Sequence, residues 1–124
     1  MKPTPANIRA RVAHYIPLLG LSDWDIRVLV GPNPDGSRRL SGASVSQPAY
    51  KAAQLYFDPE QIIASEEDTD SLVRHELIHV LLSPLVDIAD AWAGDESGRM
   101  RHVSYINETL TTTIERLPIW QGKR

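Results

Sequence analysis

The chain has 124 residues, of which 42% are hydrophobic and 23% charged, and we expect residues 1–124 to form a single domain with a modest core. The net charge of -3 excludes a general attraction to nucleic acids or membrane surfaces, so neither is expected as a partner. Cysteine is absent, which excludes disulfides and thiol nucleophiles, and without an apolar leader or a membrane-length apolar run the chain is predicted to be cytoplasmic.

The first third of the chain is predicted to contain a helix followed by strands. The helix opens at Thr4 or Pro5 and is closed by Pro17 and Gly20. Alternating and β-branched residues then predict a strand over 24–30. Two further strands are predicted over 43–46 and 52–57.

Helices dominate the remainder. One is predicted to begin between Ser65 and Asp70 and to be limited by Pro84, because proline disrupts a helix interior. Residues 84–100 are expected to form a loop or a short irregular helix, and a last helix is predicted over 101–117. The order of one helix, two or three strands and then two helices favours an α+β fold.

A five-residue motif in the middle helix carries the chemistry. His75-Glu76-Leu77-Ile78-His79 has the H-E-x-x-H pattern of zinc sites in metallopeptidases. Residues four apart lie on one helix face, so both imidazoles can bind one ion. Glu76 lies about 100° round the helix from His75, within reach of a water molecule on that ion.

The residues around the motif are apolar on nearly every side, which is typical of a buried helix. Two histidines and a glutamate would be costly to bury without a partner, and a metal ion supplies one. The alternative is a pair of core histidines hydrogen-bonded to the backbone, with Glu76 paired to Arg74 or to solvent. We expect one Zn²⁺ per chain.

A third ligand is needed, because catalytic zinc usually takes three protein ligands and one water. Glu108 and His102 are candidates on the last helix, where a ligand is positioned more rigidly than on a loop. Four acids of the preceding segment are further candidates: Asp87, Asp90, Asp95 and Glu96.

The periodicity of the last helix complicates this choice. Its apolar stripe consists of Val103, Ile106, Leu110, Ile114 and Leu117. Glu108 points about 160° away from the centre of that stripe. It can face a metal only if the helix is contacted on two sides, with Glu108, Thr111, Thr112 and Glu115 forming the second face.

The motif helix followed by a glutamate on a downstream helix resembles the gluzincin metallopeptidases, and the short chain resembles the minimal members called minigluzincins. The wider pattern is similar to short uncharacterised phage and prophage proteins. The matching segments are 15–26, 53–58 and 75–85. Only the H-E-x-x-H part of the likeness is sharply specific.

The resemblance implies a zincin-like core, with a small antiparallel sheet of two to three strands packed on the motif helix and the last helix. In that core His75, His79 and Glu108 bind zinc and Glu76 is the catalytic base. It also implies that the strand at 52–57 is the edge along which an extended peptide or protein substrate lies.

The chain departs from the gluzincin pattern in two places. Thr112 stands where many members have an aspartate that orients a zinc-binding histidine, and threonine would accept that hydrogen bond more weakly. No residue clearly matches the oxyanion-stabilising His or Tyr, for which the candidates are Tyr105, His102, Arg99 and Arg101.

The sequence therefore favours an enzyme, a zinc-dependent peptidase in which Glu76 activates a zinc-bound water. The alternative is a metal-stabilised binding or regulatory module of phage origin with little or no hydrolytic activity. The segment 85–98, which contains Trp92, would serve as a lid or occlude the cleft.

Overall fold

A computed structural model describes residues 2–32, 40–94 and 97–120, without the side chains of 97–100. The predicted α+β class is confirmed. The elements are α1 (Pro5–Leu18), β1 (Asp25–Val30), β2 (Gly42–Gln47), β3 (Ala52–Phe57), α2 (Pro59–Ala64), α3 (Thr69–Ala93) and α4 (Ser97–Glu115). Two short 3₁₀ turns lie at Pro48–Tyr50 and Pro118–Trp120.

Helix α1 begins where the sequence predicts. The Thr4 hydroxyl accepts a hydrogen bond from the Asn7 amide at 3.2 Å, and proline occupies the first helical position. The helix buries Ile8, Val12 and Tyr15 against the rest of the core. Such a spacing keeps all three side chains on one face of the helix.

The three strands form a mixed sheet, and the prediction of an antiparallel sheet is wrong in this respect. The strand order is β1-β3-β2; β3 runs antiparallel to β2 but parallel to β1. Consecutive strands lie side by side about two-thirds of the time, and β1 and β2 are an exception. Here β2 lies at the edge away from β1, which leaves β3 in the centre.

One face of the sheet packs on the helices. Ala53, Leu55 and Phe57 of β3 are buried on that face, whereas Gln54 between them is exposed. The paired register puts the small residues Gly42, Ser44 and Ser46 of β2 on the same buried side. On this face β2 thus contributes only glycine and serine, whereas β3 contributes the apolar side chains.

Helix α3 is longer than predicted, because Pro84 does not end it. Asp68 caps the start, accepting a hydrogen bond from the Ser71 amide at 3.3 Å, and the helix continues to Ala93. Pro84 has no N–H to offer to the Val80 carbonyl four residues earlier. The Ser83 hydroxyl donates to that carbonyl instead, at 2.7 Å. The expected loop over 84–100 is therefore wrong: α3 occupies its first ten residues and α4 its end.

Helix α4 runs back along α3 and starts four residues earlier than the predicted last helix. Its contacts pair Asn107 and Thr111 with His79, and Glu115 with Arg74 and His75. Within the described residues, no helix is both long and apolar enough to span a bilayer.

Candidate metal centre

Three side chains that can bind a metal converge between α3 and α4. The Nε2 atoms of His75 and His79 are 3.2 Å apart. The Glu108 carboxylate lies 3.0 Å from Nε2 of His79 and 3.7 Å from Nε2 of His75. These atoms all lie within 4.8 Å of one another, so the group could hold a metal ion. The structure thereby brings together the three residues that the sequence and the resemblance nominated.

The distances suit a tetrahedral ion. Ligand atoms about 2.0 to 2.1 Å from zinc lie roughly 3.3 Å apart in a tetrahedron, close to the spacings of the two histidines and Glu108. Burial lowers the pKa of His79, which favours the neutral ring that a metal requires. Glu108 remains largely exposed, so the cluster is open on that side.

The other nitrogen of each ring is held by α4. Nδ1 of His75 lies 3.2 Å from the Glu115 carboxylate, and Nδ1 of His79 lies 3.3 Å from both the Asn107 amide oxygen and the Thr111 hydroxyl. An acceptor at Nδ1 favours the tautomer that leaves the Nε2 lone pair for a metal. These contacts fix both rings toward Glu108.

Thr112 does not take the expected role of the family aspartate. It lies about 100° further round α4 than Thr111, and the ring nitrogens contact Glu115, Asn107 and Thr111 rather than Thr112. Sequence reasoning placed Thr111 and Glu115 on the face of Glu108 but gave them no role, and it missed Asn107. The detectable signal was the four-residue spacing of 107, 111 and 115.

A buried guanidinium connects this arrangement to the rest of the fold. Arg74 donates from Nε and Nη2 to the Glu115 carbonyl, at 3.1 and 2.9 Å, and from Nη1 to the Asp70 carboxylate at 2.7 Å. Asp70 also accepts hydrogen bonds from Arg11 and Tyr15 of α1, each at 2.6 Å. Arg74 is therefore engaged with Asp70 and the end of α4, not with Glu76 as the core-histidine alternative supposed.

Glu76 lies on the sheet side of the two histidines. Glu76 is only 6% exposed. Burial raises the pKa of its carboxyl to about 7. The charge of His75 and a hydrogen bond from Ser44 act in the opposite direction, each tending to lower that pKa. A carboxyl with a pKa near neutrality can both accept and release a proton at physiological pH. The environment thus suits a general base.

Gly42 makes room for this carboxylate. A Cβ atom built at Gly42 would lie 3.4 Å from Cγ of Glu76 and 3.3 Å from the Phe57 ring. Both distances are tighter than ordinary van der Waals contact, so β2 can approach Glu76 this closely because residue 42 has no side chain.

The cluster opens into a cleft of about 550 Å³. One wall is β2, the floor is the motif, and the other wall comes from the second half of α3 and from α4. The lining includes Gly42, Ser44, Ser46, Ser83, Val86, Asp87, Asp90 and Asn107. The expectation that 52–57 forms the substrate edge is wrong, because β3 is paired on both sides. The strand bordering the cleft is β2, which has β3 on one side only among the described strands.

The remaining candidates lie elsewhere. Asp87 and Asp90 line the cleft but are outside the three-residue cluster, and His102 is exposed on α4 outside both. Tyr105 and Arg101 are exposed on α4 and do not line the cleft. The other three candidates lie outside the described residues or side chains: Asp95, Glu96 and Arg99. The described residues of the segment 85–98, which was predicted to be a lid, are helical except Gly94, the C-cap of α3.

Helix α4 does not pack on the core mainly through its apolar stripe, as the sequence pattern would suggest. Its polar side, with the fully buried Thr111, faces α3. Of the predicted apolar stripe, Val103 is buried and Ile114 half-buried, but Ile106 and Leu110 are exposed. Glu108 reaches the histidines from the edge of this contact, because the helix is turned toward its polar side.

No protein-family model, curated protein sequence or solved structure matches the chain. The resemblance to gluzincins therefore stays a prediction, carried by the motif and by the geometry of its residues.

Proposed function

We propose that the chain is a zinc-dependent peptidase that hydrolyses peptide bonds, with His75, His79 and Glu108 as zinc ligands and Glu76 as general base. The observation that carries the proposal is the position of the buried Glu76 carboxyl, which lies beside a cluster that could hold a metal and lines the same cleft. A core histidine pair would not require this combination.

Zinc in this position would lower the pKa of a bound water to about 7 and polarise the scissile carbonyl. Glu76 would accept a proton from the attacking water and deliver it to the departing amine nitrogen. The Ser44 hydrogen bond holds the carboxylate in place for both transfers. Glu115, Asn107 and Thr111 keep the imidazoles oriented throughout.

An extended peptide is the substrate shape that suits the cleft. Strand β2 borders the cluster and has β3 on one side only among the described strands. Its outer N–H and C=O groups can pair with the main chain of a substrate in the manner of an added strand. The small side chains of Ser44 and Ser46 leave space above the motif.

The cytoplasmic location remains a prediction from the sequence.

The experiment compares wild type with Glu76→Gln, measuring zinc per chain by elemental mass spectrometry and cleavage of a fluorogenic peptide library. We expect about one zinc in both proteins and a loss of about 10²- to 10⁴-fold in turnover for Glu76→Gln. Glu60→Gln is the matched control, because Glu60 is exposed on α2 and does not line the cleft.

Each other outcome has a definite meaning. Undiminished turnover in Glu76→Gln would remove Glu76 from its role as base. Zinc without cleavage in wild type would point to the binding or regulatory module. A wild type without zinc that regains none on addition would reject the metal centre.

A further inference from the structure

The second half of α3 carries an apolar stripe on its outer side. Leu81, Leu85 and Ile88 are 37%, 58% and 70% exposed. Their spacing of four and three residues keeps the side chains on one face, as in the contact seam of a coiled coil. The charged residues of this half of the helix are Asp87 and Asp90, and both line the cleft on the other face.

Helix α4 extends this surface. Ile106 and Leu110 are 52% and 38% exposed. Since Asn107 contacts His79, these two residues lie level with the start of the open half of α3. At 100° per residue they point away from Glu108, on the side of α4 opposite the metal cluster. The only charged residue between Val103 and Ile114 is Glu108 itself.

The stripe on α3 also lies opposite the cluster. Taking 100° per residue, its centre is roughly 180° from the side that presents His79 and Asp90 to the cleft. The same side of α3 is covered earlier in the helix, where Asp70 and Arg74 contact Arg11 and Tyr15 of α1. Leu85 and Ile88, further along the helix, are instead 58% and 70% exposed.

We propose that Leu81, Leu85, Ile88, Ile106 and Leu110, here called the hairpin face, form an interface between two copies of this chain. Two α3–α4 pairs would pack face to face as a four-helix layer about a twofold axis. This proposal is independent of the peptidase assignment, because the hairpin face contains no residue of the cluster or its cleft.

The exposed area supports a protein partner. With about 200 Å² for a fully exposed leucine or isoleucine, the five exposures sum to roughly 500 Å², the size of the largest apolar patch on many monomers, which is often a functional surface. A homodimer interface is about 65% apolar, so this patch implies roughly 800 Å² per copy, the size of a standard stable interface.

The absence of charge on the described hairpin face favours a second copy over a different protein. In a twofold interface each residue near the axis meets its own copy, so any charge there faces a like charge. The hairpin face avoids that repulsion. The clefts would remain open in the dimer, since they lie on the opposite side of each helix pair.

The test is the molar mass of the full chain, measured by light scattering during gel filtration from about 1 to 200 μM. Wild type should approach twice the 13.9 kDa of one chain. Ile88→Glu and Ile106→Glu, one on each helix, should each weaken dimerisation at least about a hundredfold, because a twofold interface buries both introduced charges. Ile63→Glu is the matched control, since Ile63 is 66% exposed on α2, and it should leave the dimer unchanged.

Circular dichroism of each variant verifies that helix content is retained, which the exposure of the substituted residues leads us to expect. A wild type that stays monomeric throughout the range would overturn the proposal and leave the hairpin face to a partner of different sequence. A dimer that survives both glutamate substitutions would show that the copies meet elsewhere, and would overturn it equally.

Discussion

The two halves of α3 have similar composition and opposite surroundings. In 69–80 six residues are buried, whereas in 81–93 only Ala93 is. Both halves are rich in leucine, isoleucine and valine. The difference comes from what covers them: the sheet and α1 enclose the first half, and the second extends past α1 beside α4. Apolar content therefore does not decide burial here; coverage by distant segments does.

The cluster of His75, His79 and Glu108 lies where these two halves of α3 meet. The largest expected effect is the difference in zinc affinity between a variant of a proposed ligand and a variant of a residue that only lines the cleft. Glu108→Ala should lower zinc affinity by more than the roughly 10- to 100-fold expected for losing a hydrogen-bonding partner of a ligand. Asp87→Asn, which changes only the wall, should leave zinc affinity within about twofold of wild type. Competition with a chromogenic chelator measures both. Equal losses would mean that Asp87 binds the metal.

Glu115→Gln and His102→Ala sharpen the same measurement. Glu115→Gln should fall between the two variants above, because it weakens the contact at Nδ1 of His75 without removing a ligand. His102→Ala should match wild type, and a marked loss there would restore the alternative in which His102 is the third ligand.

Truncating one leucine in each half tests the burial contrast directly. Leu77→Ala removes a fully buried side chain and should lower the free energy of unfolding by about 2 to 5 kcal/mol. Leu85→Ala should cost less than about 1 kcal/mol, since Leu85 is already largely in water. Urea unfolding at low protein concentration measures both without a contribution from self-association. Similar losses would contradict the difference between the halves.

The enclosed half also carries an ionic contact with α1, which predicts a pH dependence. Burial tends to raise the pKa of Asp70, but hydrogen bonds from Tyr15 and Arg11 and the charges of Arg11 and Arg74 outweigh it and lower that pKa. A carboxyl with a lowered folded-state pKa stabilises the fold above its unfolded value of about 3.9, and the contribution is lost as pH falls through the folded value.

Asp70→Asn should therefore lower the free energy of unfolding at pH 7 by about 1 to 3 kcal/mol, because two guanidinium groups lose their charged acceptor. The loss should shrink toward pH 3. Urea unfolding with a chelator present keeps proton competition at the histidines out of the comparison. The exposed Asp25→Asn should change little at either pH, and a constant difference between the variants would exclude the ionic explanation.

The smallest expected effect is on the stability of α3 at Pro84, where its two halves join. Ser83→Ala removes the hydroxyl that satisfies the Val80 carbonyl beside Pro84 and should cost about 1 kcal/mol. Ser104→Ala, at an exposed position of α4, should be neutral or slightly stabilising because alanine favours a helix. Thermal unfolding of both proteins gives the comparison; a neutral Ser83→Ala would mean that another group satisfies the carbonyl.

The sequence predicts well what is decided locally. The start of α1 follows from Thr4 and Pro5, and each predicted strand is found within one or two residues of its place. The spacing of His75, Glu76 and His79 dictates their common face without reference to any other element. Local sequence patterns therefore predicted the three central residues of the candidate site.

The errors arise where distant contacts decide. Pro84 is accommodated within α3 because the Ser83 hydroxyl donates to the Val80 carbonyl in place of the missing N–H. The general tendency of proline to end a helix does not predict this substitution of donors. The place of β3 in the middle of the sheet depends on where β2 docks, which alternation of side chains cannot tell. The orientation of α4 follows its polar contacts with α3 rather than its apolar stripe, so the contacts of Asn107 and Glu115 with the histidines were found only in the structure.

The Arg74 guanidinium has a consequence for the smallest unit that can work. A shortened chain beginning at Leu21 would retain every residue of the metal cluster and of the described cleft lining. It would nevertheless lose Arg11 and Tyr15, which hold Asp70 and through it the guanidinium that fixes the carbonyl of Glu115. The carboxylate of that same residue orients His75. The N-terminal helix, although remote from the cluster, is thus connected to the orientation of His75 through this chain of contacts.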